Sequence, residues 1–308
     1  MKRVIVKCPG TVANLVCGFD VLGLALQEPA DILELQLIDE PVVRITNRDA
    51  YNLPTEPEKN VAGVVLLSIM QHCNNAFGFE VAIEKRIKPG SGIGSSAASA
   101  AGAAVAANYL LNNQFTKEEL VQFAMNGEKL ASGVKHADNI APGIYGGVTL
   151  IRSIYPLDII SIDAPSLFVT VVHPQIEVRT SDARQILKQQ VQLKDAIRQW
   201  GNVAGLVAGF MKGDYELIGR SLEDVIIEPV RSILIPGFDA VKKDCIDAGA
   251  LGGGISGSGP SIFMLSKDAV TANKVAAVMQ NVYQQIGIDH HVYVTAINKS
   301  GVTVVEEG

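Results

Sequence analysis

The sequence predicts an α+β protein with two domains, on three observations. A chain of 308 residues is long for one hydrophobic core, since chains beyond ~250–300 residues usually divide into domains. Hydrophobic residues make up 48% of the chain, enough to fill globular interiors without disulfide staples. Strand-like and helix-like segments alternate through the second half as in an α+β sandwich. Short mixed segments over 152–163 mark the predicted boundary, between domains 1–155 and 156–308.

The first half of the chain is predicted to contain four strands. Runs rich in β-branched residues predict these strands, at 2–7, 31–38, 42–46 and 79–87, with the second and third close enough to form a hairpin. Helices are expected at 60–74, 95–111 and 116–130. The second of these is dense in alanine, the best helix former, and Thr116 with Glu119 forms a capping box that opens the third.

The second half continues the alternation. Its predicted strands are 167–172, 261–265 and 290–295. Its predicted helices are 180–187, 191–210, 215–222, 238–248 and 272–286, with a helical turn at 228–231.

The chain is organised around a glycine–serine loop between a predicted strand and a predicted helix. Gly90, Gly92 and Gly94 leave the loop almost bare of side chains, so a ligand can approach its backbone closely. Ser95 and Ser96 follow where the helix begins. A helix N-terminus offers unpaired N–H donors and the positive end of the helix dipole, which suits a phosphate group.

Three alternatives for this loop differ in the residues they require. A Walker-type P-loop needs Lys-Ser or Lys-Thr after its last glycine, and Ser95-Ser96 stand there instead. A dinucleotide-binding fingerprint fits Gly92 to Ala97, with Glu118 about twenty residues on as a candidate ribose-binding acid. That acid, however, lies in the predicted capping box and not at the end of a second strand. A plain glycine-rich turn is the third alternative.

Polar residues in apolar or glycine-rich surroundings are the other site candidates. Asn14 and Asp20 are open to two interpretations, as turn residues that satisfy the backbone or as residues that face a ligand. Glu128 lies near the end of its predicted helix, where an acid is unfavourable with the helix dipole, so it is either a solvated surface acid or a cation ligand. Asp138 and Asn139 precede a glycine-rich segment, and the nearby His136 has no partner at metal-ligand spacing.

Composition excludes several classes of protein. A net charge of −6 argues against nonspecific nucleic-acid binding. The four cysteines show no metal or redox spacing and are expected to be reduced, in a cytoplasmic protein. The N-terminal segment is too short and too strand-like for a signal peptide. The longest apolar run, 97–111, is mostly alanine and falls short of a membrane span.

Three motifs together resemble the GHMP small-molecule kinases. They are Pro9-Gly10-Thr11 with Asn14, the loop from Pro89 to Ala97, and the second glycine-rich stretch from Gly252 to Pro260. They occur in the family's order and spacing and span nearly the whole chain. The resemblance implies an N-terminal domain like domain 2 of ribosomal protein S5, a ferredoxin-like C-terminal domain, and a substrate cleft between them.

The resemblance also implies roles for residues of this chain in binding ATP and Mg²⁺. Ser96 and Glu128 would hold Mg²⁺, and Asn60 would lie near the adenine. The third motif would brace the central loop. The residues implied to bind ATP are Asn60, Pro89, Gly90, Ser91, Gly92, Ile93, Gly94, Ser95, Ser96 and Ala97.

Within the family, the chain is most similar to the members that phosphorylate homoserine, a step of threonine biosynthesis. The similarity rests on the segments 14–20, 136–139, 180–184 and 228–231. It implies that Arg184 and Arg231 bind the substrate carboxylate, because a guanidinium can bind a carboxylate with two hydrogen bonds. It also implies that Asp20 binds the substrate ammonium, and that Asn14, Asp138, Asn139 and Thr180 complete the substrate site.

Asp138 and Asn139 are the implied catalytic pair, although the first motif departs from one pattern within the family. Some relatives, such as mevalonate kinase, pair an aspartate near the hydroxyl with a first-motif lysine, and residues 11–14 contain none. A dedicated catalytic base is therefore left open, beside direct proton transfer to the phosphate. The remaining alternatives are another GHMP kinase, a nucleotide-binding regulator without turnover and a dinucleotide-dependent oxidoreductase. The expected partners are homoserine and ATP, with no nucleic acid and no membrane, and a homodimer is left open.

Overall fold

A computed structural model describes residues 2–178 and 180–308, without the side chains of Ser132, Thr180 and Ser181. The strands are β1 (Arg3–Ala13), β2 (Leu22–Ile38), β3 (Val43–Asn47), β4 (Gly78–Glu84), β5 (Val148–Ile154), β6 (Leu157–Ile162), β7 (Phe168–Pro174), β8 (Gly252–Ile255), β9 (Ile262–Ser266), β10 (His290–Ala296) and β11 (Thr303–Glu307). The helices are α1 (Val61–His72), α2 (Ser95–Leu110), α3 (Lys117–Ser132), α4 (Ile140–Tyr145), α5 (Thr180–Gln185), α6 (Leu193–Lys212), α7 (Tyr215–Ser221), α8 (Glu228–Arg231), α9 (Phe238–Asp247) and α10 (Ala269–Gln285).

A seven-stranded sheet carries the first half of the chain. Its main order is β11-β1-β2-β4-β3, and β5 joins the start of β2 to β6. The long β2 makes this possible, because Leu22–Leu24 pair with β5 while Ile32–Ile38 pair with β4. Helices α1, α2 and α3 pack together, and α2 contacts β1 and β2. The small residues of α2 allow this close approach, since a Cβ at Gly102 would lie 2.3 Å from Cys8 Sγ.

A four-stranded antiparallel sheet of order β10-β7-β9-β8 carries much of the second half. Helices α9 and α10 pack on it around a second apolar cluster that includes Val172, Met264, Met279 and Tyr283. Both helices turn an apolar face to the sheet, with Val241 and Cys245 buried in α9. This separate core is what an α+β protein with two packing units requires.

The two sheets do not divide at the predicted boundary. Residues 155 and 156 lie in the turn of the β5–β6 hairpin, and β6 belongs to the first sheet. The last strand, β11, returns to pair with β1, with Lys7 opposite Thr303. A β-bridge between Leu26 and Ile297 joins the chain once more near this return. The chain therefore crosses between the two sheets more than once.

Most predicted helices are found within a few residues of their expected bounds, and the capping box of Thr116 and Glu119 is present. The predicted hairpin of 31–38 with 42–46 is wrong, because β3 pairs in parallel with β4 and not with β2. The connection between β2 and β3 passes over the start of β4. Gly78 provides the space for this connection, since a Cβ at this position would lie 2.0 Å from the carbonyl oxygen of Glu40.

Three strand segments have no clear period in the sequence. Residues 9–13 complete β1 and are buried on both faces, so no alternation of polar and apolar residues marks them. Residues 157–162 form β6, and part of the second glycine-rich stretch forms β8, whose residues are mostly glycine. In the described part of the chain, no helix has both the length and the apolar character needed to cross a bilayer.

Candidate active site

A cleft of about 360 Å³ runs along the glycine–serine loop. It is lined by residues from the β1–β2 connection, the starts of α1 and α2, the end of α3, the segment before α4, and helices α5 and α8. The structure thus gathers one site from segments that lie as much as 245 residues apart, from Ala13 to Ser258. The predicted site residues that line it are Asn14, Asp20, Asn60, Pro89, Gly90, Gly92, Gly94, Ser95, Ser96, Glu128, Asp138, Asn139, Arg184 and Arg231.

Four predicted site residues are not among those that line the cleft. Ser91, Ile93 and Ala97 are each 1% exposed. The carbonyl oxygen of Ser91 accepts a hydrogen bond of 2.6 Å from Ser261 Oγ, which ties the loop to the second sheet. The sequence predicted that Ser91, Ile93 and Ala97 contact ATP through their backbone amides, and this remains a prediction. The prediction for Thr180 concerns a side chain outside the described part of the structure.

The third motif, the stretch from Gly252 to Pro260, packs against the glycine–serine loop. Ser256 Oγ donates a hydrogen bond of 2.7 Å to the carbonyl oxygen of Gly92. A Cβ at Gly92 would lie 2.6 Å from the carbonyl oxygen of Gly259, and its φ of +80° is in the left-handed region. The loop therefore needs glycine here for two reasons, close backbone packing and backbone conformation. This packing leaves the other face of the loop turned to the cleft.

The first turn of α2 brings a hydroxyl and a carboxylate together. Ser96 Oγ donates a hydrogen bond of 3.0 Å to Glu128 Oε2, from the last turns of α3. The unfavourable position of Glu128 in its own helix is offset because it faces the N-terminal end of α2, where an acid is favourable. Hard oxygen donors suit Mg²⁺, which commonly binds one or two protein carboxylates together with substrate phosphates. The pair fits that requirement, although the described residues hold no cluster of three metal-binding side chains.

Lys85, which the sequence analysis missed, lies beneath this turn and is 5% exposed. Its ammonium forms a buried ion pair with Asp31 and donates to Ser95 O at 2.7 Å and to Ser99 Oγ at 3.0 Å. Asp31 Oδ1 in turn accepts hydrogen bonds from the backbone N–H groups that follow β4, at residues 86 and 87. The ion pair therefore fastens α2 to the sheet. The signal was available, since Lys85 continues the inward-facing alternation of Val81 and Ile83.

Asn60 caps helix α1 at the other end of the cleft. Its Oδ1 accepts hydrogen bonds from the N–H groups of Ala62 and Gly63, at 3.0 and 3.3 Å. Its Nδ2 donates to Pro54 O at 2.7 Å. This end of the cleft is more apolar, with Leu53, Pro54 and Val61 in its wall. Such a surface suits the faces of a planar base, so the predicted position of the adenine is compatible with the lining.

Two arginines and an aspartate meet at the end of the cleft nearest α8. Arg184 Nη2 donates to Asp20 Oδ1 at 2.7 Å. Arg231 is 3% exposed and donates from Nε to Ala183 O at 2.9 Å. The Phe19 ring, also missed in the sequence, lies beneath both guanidinium groups, 5.4 Å from Arg184 Cζ and 4.9 Å from Arg231 Cζ. These contacts hold two positive charges side by side, and burial and the nearby Arg184 lower the pKa of Arg231 to about 10.

The connection between β1 and β2 reaches the same end of the cleft. Asn14 Nδ2 donates to Gly257 O at 2.8 Å, and its Oδ1 accepts from the N–H of Asp20 at 3.0 Å. Both residues have positive φ, 74° for Asn14 and 61° for Asp20. Both interpretations of Asn14 and Asp20 therefore hold, because the two residues form a turn and also line the cleft.

Asp138 and Asn139 lie between the loop and the arginines. Asn139 Oδ1 accepts a hydrogen bond of 2.7 Å from Thr11 Oγ1 in the first motif. Asp138 is 5% exposed, and burial, with Asp20 and Glu128 nearby, raises the pKa of its carboxyl from 3.8 to about 7. His136 lies 3.6 Å from Asp20, between Nδ1 and Oδ1, and burial lowers its pKa. The cleft can therefore hold phosphates along the loop, a zwitterion at the arginine end and a hydroxyl between them.

Glu118, the acid of the dinucleotide alternative, lies in the first turn of α3. It is not at the end of a strand, and its Oε1 accepts a hydrogen bond of 2.7 Å from Tyr145 Oη. The fingerprint from Gly92 to Ala97 thus lacks the ribose-binding acid that a dinucleotide site needs.

Full-length relatives and a solved structure match this chain. A homoserine kinase from Chloroherpeton thalassium is 46% identical over 98% of this chain and 99% of the relative. One from Methanocella arvoryzae is 42% identical over 99% of this chain and 98% of the relative. The crystal structure of homoserine kinase from Cytophaga hutchinsonii is 48% identical, with a TM-score of 0.94 over 98% of this chain and 97% of that one.

More distant structures share the fold alone. A crystal structure of L. major mevalonate kinase in complex with R-mevalonate is 17% identical, with a TM-score of 0.68 over 96% of this chain and 95% of that one. The family of GHMP kinases N terminal domains matches residues 60–147, and that of GHMP kinases C terminal domains matches residues 206–285. These matches confirm the predicted resemblance and the two-domain α+β fold, and the chain belongs to the GHMP kinase family.

Proposed function

We propose that this protein phosphorylates the side-chain hydroxyl of L-homoserine with ATP, to give O-phospho-L-homoserine and ADP, in threonine biosynthesis. The observation that carries the proposal is the cluster of Asp20, Arg184 and Arg231 in the same cleft as the glycine–serine loop. Homoserine is a zwitterion with a terminal hydroxyl, and this cluster offers one carboxylate and two guanidinium groups. The names of the full-length relatives agree with that choice of substrate.

Charged side chains hold the amino-acid end of the substrate. Its carboxylate binds Arg184 and Arg231, and its ammonium binds Asp20. The Phe19 ring keeps both arginines oriented toward the cleft. The hydroxyl then reaches toward Asp138 and Asn139, which lie between the arginines and the loop and also line the cleft. Asn14 completes this part of the site, and Thr180 is proposed here from the resemblance alone.

The loop holds the phosphates of ATP. The loop and the first turn of α2 line the cleft, where the N–H donors of a helix start favour phosphate, and Gly90, Gly92 and Gly94 permit close approach. Ser96 and Glu128 hold Mg²⁺, which neutralises phosphate charge when it is bound. Lys85 keeps the first turn of α2 in place through Ser95 O. The adenine lies at the apolar end, near Asn60.

Phosphoryl transfer depends mainly on positioning and charge stabilisation. The homoserine oxygen bonds to the γ-phosphorus, and the bond from that phosphorus to the ADP oxygen breaks. We propose that the hydroxyl proton passes to a γ-phosphate oxygen while Asp138 and Asn139 orient the hydroxyl. Asn139 is suited to this, because Thr11 fixes its side chain by a hydrogen bond. A carboxyl with a pKa of about 7 at Asp138 is partly protonated at neutral pH and can itself donate a hydrogen bond.

A coupled assay of ADP release tests the proposal against its alternatives. The assay compares L-homoserine with L-serine, L-threonine and mevalonate, each with and without Mg²⁺. We expect release that depends on homoserine and Mg²⁺, and a preference for another alcohol would assign a different GHMP kinase. ATP binding without release would indicate a regulator. NAD reduction with homoserine would indicate an oxidoreductase. Because three of its four cysteines are buried and all are free, the protein is also proposed to work in the cytoplasm.

A further inference from the structure

Helix α8 carries one of the two arginines of the cleft, and it is too short to hold its own position. It has four residues, from Glu228 to Arg231. A helix of one turn forms few internal hydrogen bonds, and even isolated helices of ~12 residues are marginal in water. The place of Arg231 therefore depends on how the rest of the molecule holds α8.

Asp224 holds the segment that enters α8. It is 7% exposed. Its Oδ1 accepts hydrogen bonds from the N–H groups of Ile226 and Ile227, at 2.8 and 3.0 Å, and its Oδ2 accepts one from the N–H of Glu228 at 2.9 Å. Both oxygens are thus used on the backbone just before the turn. Asp224 therefore sets where α8 begins, and other contacts must hold the turn itself.

Glu228 ties the turn to two other elements. Its Oε1 accepts a hydrogen bond from the ammonium of Lys242 in α9, with which it forms an ion pair. Its Oε2 packs against β8, where a Cβ at Gly254 would lie 2.1 Å from it. Arg231 follows Glu228 by three residues, so the two side chains occupy neighbouring positions on the same helical turn. A shift of Glu228 would therefore move Arg231 with it.

The pair of Glu228 and Lys242 is an unfavourable way to hold a helix if stability is its only purpose. Burial raises the pKa of the Glu228 carboxyl, and its Oε2 has no hydrogen-bond partner in the described part of the chain. A buried acceptor without a partner lowers stability, and apolar residues often replace a buried ion pair without loss. The carboxylate is thus better explained by what it keeps in place.

The packing around Arg231 leaves room for such a role. A cavity of about 10 Å³ borders Phe19, Arg231 and Glu228. Side chains beside a cavity have fewer contacts on that side. The guanidinium donates only to backbone oxygens of other segments in this region, from Nε to Ala183 at 2.9 Å and from Nη1 to Gly257 at 3.3 Å. The direction in which it faces therefore depends on the position of α8.

We propose that Glu228 is a positioning residue for the substrate, which acts through Arg231 and has Lys242 as its partner. A guanidinium that binds a carboxylate with two hydrogen bonds must face it in the right direction. The inference rests on the proposed function, in which Arg231 binds the homoserine carboxylate. It goes beyond that function because Glu228 and Lys242 are not among the residues that line the cleft.

Steady-state kinetics separate the effect on homoserine from the effect on ATP. In Glu228→Leu, KM for homoserine should rise ~10- to 100-fold, because a misplacement of about 1 Å can have an effect of that size, while kcat and KM for ATP change less than about twofold. Lys242→Met breaks the same contact from α9 and should raise the same KM, so it tests the proposal even if Glu228→Leu folds poorly.

Two further variants serve as controls for the kinetics. Glu228→Gln keeps the shape and an oxygen for Lys242, so most of the homoserine affinity should return. Glu216→Leu replaces an exposed glutamate of α7 and should change none of the three parameters.

A double substitution tests whether Glu228 acts through Arg231. In an Arg231→Leu protein, adding Glu228→Leu should change kcat/KM for homoserine by less than about twofold, because the side chain that Glu228 positions is already gone. Hydrogen exchange gives a measurement that needs no substrate. Residues 224–234 should exchange faster in Glu228→Leu than in the parent protein or in Glu216→Leu.

Four results would each overturn the proposal. They are an unchanged KM for homoserine in both Glu228→Leu and Lys242→Met, a fall in kcat with both KM values unchanged, the full further loss in the Arg231→Leu protein, and unchanged exchange at residues 224–234. A parent protein that does not use homoserine would instead overturn the proposed function, and hydrogen exchange would still decide whether Glu228 holds α8.

Discussion

Arg184 and Asp20, which we propose to bind opposite ends of a zwitterion, are paired with each other at 2.7 Å between Nη2 and Oδ1. Their side chains are 29% and 32% exposed, so each remains open to the cleft. A substrate that carries both an ammonium and a carboxylate can replace this contact with two others of the same kind. A ligand with one charge can satisfy only one of the partners, and this favours an amino acid over a simple alcohol or acid.

Loss of either arginine should impair the use of homoserine far more than that of ATP. Removing one partner of a buried charge pair typically costs ~2–5 kcal/mol, or about 30- to 5,000-fold in kcat/KM. We therefore expect Arg184→Leu and Arg231→Leu to lose homoserine efficiency within that range while KM for ATP changes little. Arg198→Leu is the matched control, because Arg198 pairs with Glu223 on the surface. An arginine whose loss leaves homoserine efficiency unchanged does not bind the carboxylate.

Removal of the Ser96 hydroxyl or the Glu128 charge should weaken the use of Mg²⁺. In Ser96→Ala and Glu128→Gln, half-maximal turnover should need more Mg²⁺ than in the parent protein, because each loses one oxygen ligand. Titration of Mg²⁺ at saturating ATP and homoserine measures the shift. Glu118→Gln, which alters an acid of the same helix outside the cleft, should leave the titration unchanged. The same Mg²⁺ dependence in both site variants would remove the pair from the metal site.

Asp138 should make the folded state less stable as the pH rises. In the folded state the pKa of its carboxyl is raised from 3.8 to about 7. The stabilisation that this shift adds to the free energy of unfolding is complete below the pKa of the unfolded state, and it is lost as the pH rises through about 7. Asp138→Asn should therefore gain stability over the parent protein at about pH 8, on the order of 1–4 kcal/mol, and much less at about pH 4. Urea unfolding at the two pH values measures this difference.

Asp39→Asn, at an exposed position between β2 and β3, provides the control for that pH dependence. It should change the free energy of unfolding by a similar small amount at both pH values. A stability difference between Asp138→Asn and the parent protein that is the same at both pH values would show that burial does not hold Asp138 neutral.

The same substitution tests the path of the proton during turnover. Asp138→Asn keeps the shape and much of the hydrogen bonding but cannot accept a proton. We expect turnover to fall by less than about tenfold and the pH profile to keep its acidic limb, because Asp138 mainly positions the hydroxyl. A general base usually contributes ~10²–10⁴-fold. A loss of that size together with loss of the acidic limb, at unchanged homoserine binding, would make Asp138 the base.

Periodic and compositional signals predicted much of the fold. The alanine-rich α2, the capping box of Thr116 and Glu119, and the amphipathic α10 all follow from local sequence. Strand pairing was harder to predict, because β3 pairs with β4 beside a close contact at Gly78 that no local pattern encodes. The return of β11 to β1 joins residues about 300 positions apart, and its exposed strand carries little alternation.

The candidate site could be assembled from the sequence only in part. The phosphate loop is visible in its glycines, and the resemblance placed Arg184, Arg231 and Glu128 near it. Phe19 and Lys85 were missed because their roles depend on distant partners. Phe19 lies beneath arginines from α5 and α8, and Lys85 pairs with Asp31 on the neighbouring strand.

The most direct test of the proposed function is to identify the phosphorylated product. Phosphorus NMR of a reaction with ATP, Mg²⁺ and L-homoserine, followed over time, distinguishes a phosphate ester from inorganic phosphate. The account predicts one new ester resonance, coupled to the C4 methylene protons of homoserine, that grows in equal amount with ADP. ADP formation accompanied only by inorganic phosphate, or no consumption of ATP, would contradict it.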